Sequence, residues 1–349
     1  MLDDYNVLKQ RDSERTLQST PEQYKQVSMD LEIGAPEHDN RRVRNVVYVG
    51  MGGSALAPEF ALTWLGCDLK VPFEIIKSYD IPGYVDEDTL VFVASCSGNT
   101  EEVIEAYHQA RKRNAQVAVI AGGGKLYELA DKDSVVHIKL PPIQIQPRML
   151  TFIQVRALVV LLGHFGVLQP EAYLRQLEAT SDWLRHVSER WASDVPIEQN
   201  YAKQLALLAV GKTPVFYGGY IARSLAYKWK ISWNENAKNV AFWNYYPEFN
   251  HNEFIGWTSH PIEKPFAVFD LISDHERDRI HKRAEISDRL LSGKRPKATT
   301  IQLEGDSLLE QLLAGHVLAD FVSIYVGILN NVDPGPVPLI TKLKQELAD

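Results

Sequence analysis

The chain has 349 residues, of which 45% are hydrophobic and 23% are charged, and its formal net charge is -8. This composition is typical of a globular protein, and the length predicts two domains of roughly 150 residues each. The acidic balance and the lack of a long Lys/Arg run argue against nucleic acid or an anionic membrane surface as a partner. An anionic ligand would therefore have to be held by a local site.

The two cysteines, Cys67 and Cys96, do not form a CxxC motif. They indicate neither a disulfide framework nor a zinc site, so we expect a reducing, cytoplasmic location. The charged N-terminus lacks the apolar core of a signal peptide. We also expect no membrane span, because the longest apolar run that we identify, ALVVLLGHFGVL, falls short of the ~18 residues that a spanning helix needs.

Residues 1–44 are polar and predict an N-terminal arm with an early helix. From Asn45 onward, short apolar runs such as VVYVG, LVFVAS and QVAVIAG alternate with helical patterns such as EEVIEAYHQARKR. This alternation predicts a first α/β domain in residues 45–165, with a parallel sheet covered by helices on both faces. The polar, amphipathic stretch that follows predicts a helical connector in residues 166–205.

The same layout begins again in residues 206–349. VFYGGYIARSLAYKWK resembles VYVGMGGSALAPEF, and PFAVFDLISDHERDRIHKRAEI resembles TLVFVASCSGNTEEVIEAYHQARKR. We therefore predict that one α/β unit occurs twice in the chain. Because open α/β sheets bind ligands at the turns after their strands, function should lie in the turns that the two copies do not share.

The turn GMGGSA closes the first predicted strand and opens a helix. Gly53 would let the backbone approach a ligand, the free N–H groups of the helix start attract an anion, and Ser54 adds a hydroxyl. The spacing matches neither a Walker loop nor the GxGxxG dinucleotide fingerprint. Taken alone, the turn could equally be a tight connection without a ligand.

The stretch SCSGNTEE follows the strand TLVFVA and carries more hydroxyls. Ser95 and Ser97 point the same way if the strand end stays extended, and Thr100 begins a helix. Three hydroxyls around a helix N-terminus fit a phosphate ester that is bound without a metal. An ordinary helix cap, which is the alternative, would need only one of these residues. The counterpart in the second copy, LISDHERD, lacks these hydroxyls, so one chain should hold one phosphate.

GMGGSA, SCSGNTEE and AGGGKLYELA together resemble a sugar isomerase (SIS) domain, in which a Ser/Thr-rich turn holds a sugar phosphate. NENAK, PEFNHNEFIGW and the ending VDPGPVPLITKLKQEL are similar to the bifunctional phosphoglucose/phosphomannose isomerase family, from about residue 45 to the end. The resemblance implies two SIS-type, flavodoxin-like domains, each with three αβα layers and a parallel sheet. It also implies an aldose–ketose isomerase, without metal or cofactor, that interconverts glucose 6-phosphate or mannose 6-phosphate with fructose 6-phosphate in glycolysis and gluconeogenesis.

Moving a proton between C1 and C2 of a sugar requires a base, and Glu235 in WNENAK stands where the family has its proton-transferring glutamate. The aromatic-rich helix before it would partly desolvate the carboxylate and favour basicity. His251 matches the family histidine that assists ring opening and reaches the neighbouring subunit's site, so the resemblance implies a homodimer. From the residues alone, His251 ranks only slightly above His260 or His281, and Glu235 could simply pair with Lys238.

The family has a C-terminal lysine that acts at the ring oxygen and the enediolate. Lys344 is our match and Lys342 is the alternative, because both fall in one short predicted helix. Arg148, in QPRMLTFIQV, matches a family arginine near the substrate and would supply a fixed cation; the alternative is a surface arginine ahead of a helix.

Gly335 follows VDP where the family usually has threonine, at a position that the resemblance connects with acceptance of both C2 epimers. Glucose 6-phosphate is therefore a safer prediction than mannose 6-phosphate. A second interpretation is that the double SIS unit binds a sugar phosphate as a regulator, although the acidic arm offers no DNA-binding face. A third, the isomerase half of an amidotransferase, would need an ammonia-producing domain that the sequence does not carry.

Overall fold

The computed structural model describes residues 1–143, 145–259 and 265–348. The chain divides into two compact units: Glu22–Leu184, called here the first unit, and Met1–Pro21 together with Arg185–Asp349, called the second unit. Residues of the predicted arm thus occur in both units, since α1 (Tyr5–Arg11) and α2 (Thr16–Ser19) belong to the second.

The first unit is built on a six-stranded sheet. Its elements in chain order are β1 (Ile33–Gly34), β2 (Asn45–Gly50), α3 (Leu56–Leu65), β3 (Phe73–Ile76), β4 (Thr89–Ser95), α4 (Glu101–Lys112), β5 (Gln116–Ala121), α5 (Gly124–Lys132), β6 (Val136–Lys139), α6 (Thr151–His164) and α7 (Pro170–Ala179). The next helix, α8 (Ser181–Glu189), contains the division between the units.

The strand order in this sheet is β1-β6-β5-β4-β2-β3, and all neighbours are parallel except β1, which runs antiparallel to β6. The five parallel strands therefore follow the 2-1-3-4-5 order of flavodoxin-like sheets. The order reverses between the neighbouring strands β2 and β4. The crevice at the carboxyl ends of these two strands is where such sheets bind ligands.

Helices cover both faces of the first sheet, because alternate residues of each buried strand point to opposite sides. Tyr48 and Phe92 pack with residues of α3 and α6 in one apolar cluster. Val49 and Val93 pack with residues of α4 and α5 in the other. The predicted three-layer αβα arrangement is confirmed.

The second unit repeats this layout with a four-stranded, wholly parallel sheet of order β10-β9-β7-β8. Its remaining elements are α9 (Tyr201–Ala209), β7 (Thr213–Gly218), α10 (Arg223–Asn236), β8 (Phe242–Tyr245), α11 (Glu253–Gly256), β9 (Phe266–Ile272), α12 (Asp278–Leu290), β10 (Thr299–Gln302), α13 (Leu308–Leu329) and α14 (Pro338–Ala348). In sequence order this is the 2-1-3-4 part of the flavodoxin-like arrangement, with the reversal between β7 and β9.

Helix α13 corrects the expectation that no apolar segment reaches the length of a membrane span. Its 22 residues are long and apolar enough for one, but 94% of the most apolar stretch is buried inside the protein. His316 and Asp320 interrupt its apolar sequence, and both side chains are buried. We therefore assign α13 as the core helix of the second unit.

Candidate active site

Three hydroxyl groups meet at the carboxyl end of β4 in the first unit. Ser95 Oγ lies 2.8 Å from Thr100 Oγ1 and 3.3 Å from Ser97 Oγ, and it accepts the backbone N–H of Gly98 at 3.0 Å. Ser95 is buried, Thr100 half-buried and Ser97 exposed. Ser95 therefore holds the three hydroxyls to the protein interior, and Ser97 leaves them accessible from solvent on one side. A small polar ligand could reach them from that side.

The turn after β2 contacts this group directly. Ser54 Oγ accepts the backbone N–H of Cys96 at 3.2 Å, so the ends of β2 and β4 are joined across the sheet reversal. Burial raises the pKa of the Cys96 thiol, which lies 3.5 Å from Ser54 Oγ. The neutral thiol adds no negative charge beside these hydroxyls.

Arg148 is 1% exposed, which excludes the alternative of a surface arginine. It lies in a short turn, Pro147–Met149, just before α6. A Cβ atom at Gly53 would come within 3.0 Å of Arg148 Cα and of the carbonyl oxygen of Pro147. Glycine at position 53 is therefore what allows the turn after β2 to pack against the arginine segment.

A third turn supports the hydroxyl group. Gly98 has a φ of +67°, and a Cβ atom there would overlap the carbonyl group of Gly123. The backbone N–H of Leu126 donates to Gly98 O at 2.8 Å, and that of Lys125 donates to Asn99 Oδ1 at 3.0 Å.

The predicted phosphate-binding residues of the first unit are together called the cradle here. They are Gly53, Ser54, Ser95, Ser97, Thr100 and Arg148.

Glu235 lies in the last turn of α10 and is half-buried, as the aromatic residues before it predict. Lys238 Nζ donates to the backbone carbonyls of Glu235 at 2.6 Å and Pro334 at 3.0 Å. Asn236 Nδ2 donates to Ser323 Oγ of α13 at 2.8 Å. These bonds fix the helix end that presents the carboxylate.

The three candidate histidines differ in their surroundings. His251 is exposed, and its ring makes no hydrogen bond to any residue in the described ranges. His281, in α12, holds the backbone carbonyl of Ser273 at 2.9 Å and so has a structural partner. His260 lies outside the described residues. Of the two that are described, His251 is the one available to a ligand or another subunit.

The two candidate lysines both lie on α14, as predicted, and both are exposed. Lys342 Nζ is 3.6 Å from Glu346 Oε1. Lys344 forms no ion pair with any residue of the described ranges. This difference favours Lys344 over Lys342 as the lysine that contacts a substrate.

A carboxylate that the sequence analysis missed lies between two turns of the second unit. Glu276 Oε1 accepts the backbone N–H groups of Ile221 and Ala222 after β7. Burial raises its pKa, while the hydrogen bonds to the backbone oppose that rise. The available signal was its position: Glu276 follows β9 as Thr100 follows β4.

Two family models match the chain. The SIS domain matches residues 41–163, and the bacterial phospho-glucose isomerase C-terminal SIS domain matches residues 198–347. A bifunctional phosphoglucose/phosphomannose isomerase of Caldicellulosiruptor bescii is 34% identical over 333 residues, which cover 93% of this chain and 96% of that protein. The chain belongs to the bifunctional phosphoglucose/phosphomannose isomerase family.

Other comparisons agree with this assignment. A member of the family from Aquifex aeolicus is 30% identical over 305 residues, covering 87% of this chain and 90% of that protein. A glucose-6-phosphate isomerase like protein from Thermus thermophilus matches 99% of this chain and 98% of its own with a TM-score of 0.65; at 18% identity it shows the fold alone. The family and fold predicted from the motifs are thereby confirmed, whereas the predicted domain boundaries stay a prediction.

Proposed function

We propose that this chain is a metal-independent aldose–ketose isomerase that interconverts glucose 6-phosphate, and also mannose 6-phosphate, with fructose 6-phosphate. The observation that carries the proposal is the cluster of Ser95, Ser97 and Thr100 hydroxyls at the sheet reversal of a chain that belongs to this family. In a flavodoxin-like sheet this is the place for a ligand, and hydroxyls with backbone N–H groups suit a phosphate.

In the proposed mechanism, one set of residues binds the phosphate and another set transfers protons. The cradle holds the phosphate, and Arg148 supplies a fixed positive charge nearby. Glu235 removes the proton from C2 of the open-chain aldose, the C–H electrons form the C1–C2 double bond, and the C1 carbonyl oxygen becomes the enediolate oxygen. The O2 hydroxyl proton passes to O1 so that the C2 carbonyl forms, and return of the C2 proton to C1 completes the ketose. His251 moves the ring-oxygen proton during ring opening, and Lys344 stabilises the developing negative charge.

A regulator that only binds sugar phosphate could retain the cradle and dispense with the catalytic groups. The half-buried Glu235 and the exposed His251 are both present in this chain, and the family match extends through both of their segments. These features support an isomerase in preference to a regulator.

The experiment that tests the proposal is an assay of fructose 6-phosphate conversion in the presence of EDTA. The wild-type chain should form glucose 6-phosphate, Glu235→Gln should lose at least about a thousandfold in kcat, and both should bind fructose 6-phosphate similarly. Glu285→Gln, an exposed glutamate in α12, is the matched control and should keep full activity. A wild-type chain that forms no aldose phosphate would refute the proposal.

The proposal includes a homodimer in which His251 of each subunit completes the site of the other. The exposure of His251, and its lack of a hydrogen bond within the described part of the chain, support this role. Subunits of Glu235→Gln and His251→Ala, each inactive alone, should regain about a quarter of wild-type activity when mixed and exchanged, because half of the mixed dimers' sites are intact. If both residues act within one subunit, mixing recovers nothing.

A cytoplasmic location and a place in glycolysis and gluconeogenesis belong to the same proposal. They follow from the substrates that we assign and from the two unpaired cysteines. We propose no nucleic acid and no membrane as partners, in view of the net charge of -8.

A further inference from the structure

The second unit has a crevice that corresponds to the cradle of the first. Its strand order reverses between β7 and β9, which are neighbours just as β2 and β4 are. Residues 219–222 form the turn between β7 and α10, and residues 273–277 form the turn between β9 and α12. By the rule for open α/β sheets, this crevice is the place for a ligand of the second unit.

A side chain of the protein itself fills this place. Glu276 extends from the turn after β9, and its carboxylate accepts the backbone N–H groups of Ile221 and Ala222, the latter at 3.2 Å. Glu276 is only 8% exposed. These two N–H groups lie immediately before the 14-residue helix α10, where the helix dipole favours a negative charge.

The backbone after β7 lies close to this carboxylate at Gly219. A Cβ atom at Gly219 would overlap the carboxyl group of Glu276, so glycine at this position leaves the carboxylate its present place. The first unit has a different link at the same place, because there the hydroxyl of Ser54 accepts the N–H of Cys96. One unit thus has hydroxyls and an open side, and the other has a buried carboxylate.

We propose that the turn at residues 219–222 is an anion-binding turn that the chain occupies itself, with the Glu276 carboxylate standing where an anionic ligand such as phosphate would be held. The comparison with the cradle rests on the proposed function. Glu276 is in this view a residue that determines binding stoichiometry: it keeps phosphate out of the second unit and leaves the first unit to hold the substrate.

Glu276→Gly tests the proposal, because it removes a group that is equivalent to propionate. The variant should have a lower Tm than the wild type, and added sodium propionate should restore several degrees of it relative to sodium chloride at the same ionic strength. Wild type and Glu276→Gln, in which an amide of the same size fills the turn, should show no such gain. An equal effect of propionate on all three proteins would overturn the proposal.

Titration calorimetry with inorganic phosphate separates this inference from the proposed function. Wild type should bind one phosphate per chain, and Glu276→Gly should bind two. A wild type that binds none would refute the cradle, while rescue of Glu276→Gly by propionate would still support the role of Glu276. An unchanged stoichiometry in Glu276→Gly, together with no rescue, would refute the inference alone.

Gly219→Ala keeps the proposal testable if Glu276→Gly does not fold. The added Cβ would displace the carboxylate, so the Tm should fall by several degrees. Gly256→Ala is the matched control, because a Cβ atom at Gly256 meets nothing within 4 Å. A Gly219→Ala variant as stable as Gly256→Ala would overturn the fit between Gly219 and Glu276.

Discussion

Lys228 of α10 and Asp320 of α13 form a buried ion pair in the core of the second unit. Lys228 Nζ lies 2.8 Å from Asp320 Oδ1, and Ser232 Oγ donates to the same oxygen at 2.8 Å. Both charged side chains are almost fully buried. Because α10 ends beside Glu235, this pair also fixes the axial position of the helix that carries the proposed base.

We expect Asp320→Ala to destabilise the protein by about 3–5 kcal/mol, because it leaves the Lys228 ammonium buried without its partner. The double variant Lys228→Met/Asp320→Leu should recover most of this loss, since it removes both charges. Urea unfolding measures these differences. Glu346→Ala, which breaks the exposed pair with Lys342, should cost less than about 1 kcal/mol. Equal losses in the two single variants would contradict the assignment.

Loss of a cradle hydroxyl should weaken substrate binding without slowing proton transfer. Ser95→Ala removes the hydroxyl that contacts Ser97, Thr100 and the Gly98 N–H, so the KM for fructose 6-phosphate should rise about tenfold while kcat changes little. Steady-state kinetics gives both values. Ser28→Ala, at an exposed site in the same unit, should leave both unchanged. A fall in kcat alone would place Ser95 in the chemistry instead.

Asp270 predicts a pH dependence of stability. Burial raises the pKa of this β9 carboxyl from 3.8 to about 6, although Arg295 and the hydrogen bond from Tyr246 oppose the rise. The folded state therefore holds the proton more tightly than the unfolded chain, and the stability from this group falls as the pH rises from about 4 to about 6.

The size of this effect is on the order of 3 kcal/mol for a shift of about two pKa units. The free energies of unfolding of wild type and Asp270→Asn can be measured in urea between pH 4 and pH 7. As the pH rises, the wild type should lose about 3 kcal/mol of stability relative to Asp270→Asn. A difference between the two proteins that is constant with pH would contradict the raised pKa.

Gly335 leads to a prediction about the two C2 epimers. A Cβ atom at Gly335 would lie 2.7 Å from Glu14 Oε2 and 2.9 Å from Glu14 Cβ, so threonine does not fit beside Glu14. Gly335→Thr alone should lower activity on both aldose phosphates. Gly335→Thr/Glu14→Gly makes room for the hydroxyl and should raise kcat/KM for mannose 6-phosphate relative to glucose 6-phosphate about fivefold, the equivalent of one hydrogen bond.

Glu14→Gly alone is the control for that comparison, and its ratio of the two kcat/KM values should match the wild type. If the double variant also keeps the wild-type ratio, position 335 does not affect the choice between epimers.

Much of the fold could be predicted because its signals are local. Strands β2, β4 and β5 are buried on both faces and therefore read as continuous apolar runs. The hydroxyl-rich turn after β4 was also visible, since all its members lie within six residues. Strand β8 was missed because it lies at the sheet edge and is partly exposed, so its sequence lacks that signal.

Features that depend on contacts between distant segments could not be predicted. Glu276 bonds to residues more than 50 positions earlier, and in the sequence it resembles a surface charge in a turn. The N-terminal residues belong to the second unit because contacts such as that of Arg11 Nη1 with Ile328 O, at 2.6 Å, span almost the whole chain. The burial of Arg148 depends likewise on Gly53, far from it in sequence.

Solvent deuterium exchange shows directly whether Glu235 transfers the proton between C1 and C2. Fructose 6-phosphate is incubated with the protein in D2O, and deuterium at C1 of the recovered ketose and at C2 of the aldose is measured by NMR. Wild type should introduce deuterium at both positions and Glu235→Gln at neither, although Glu235→Gln still binds the ketose. Exchange by Glu235→Gln at the wild-type rate would contradict this role of Glu235.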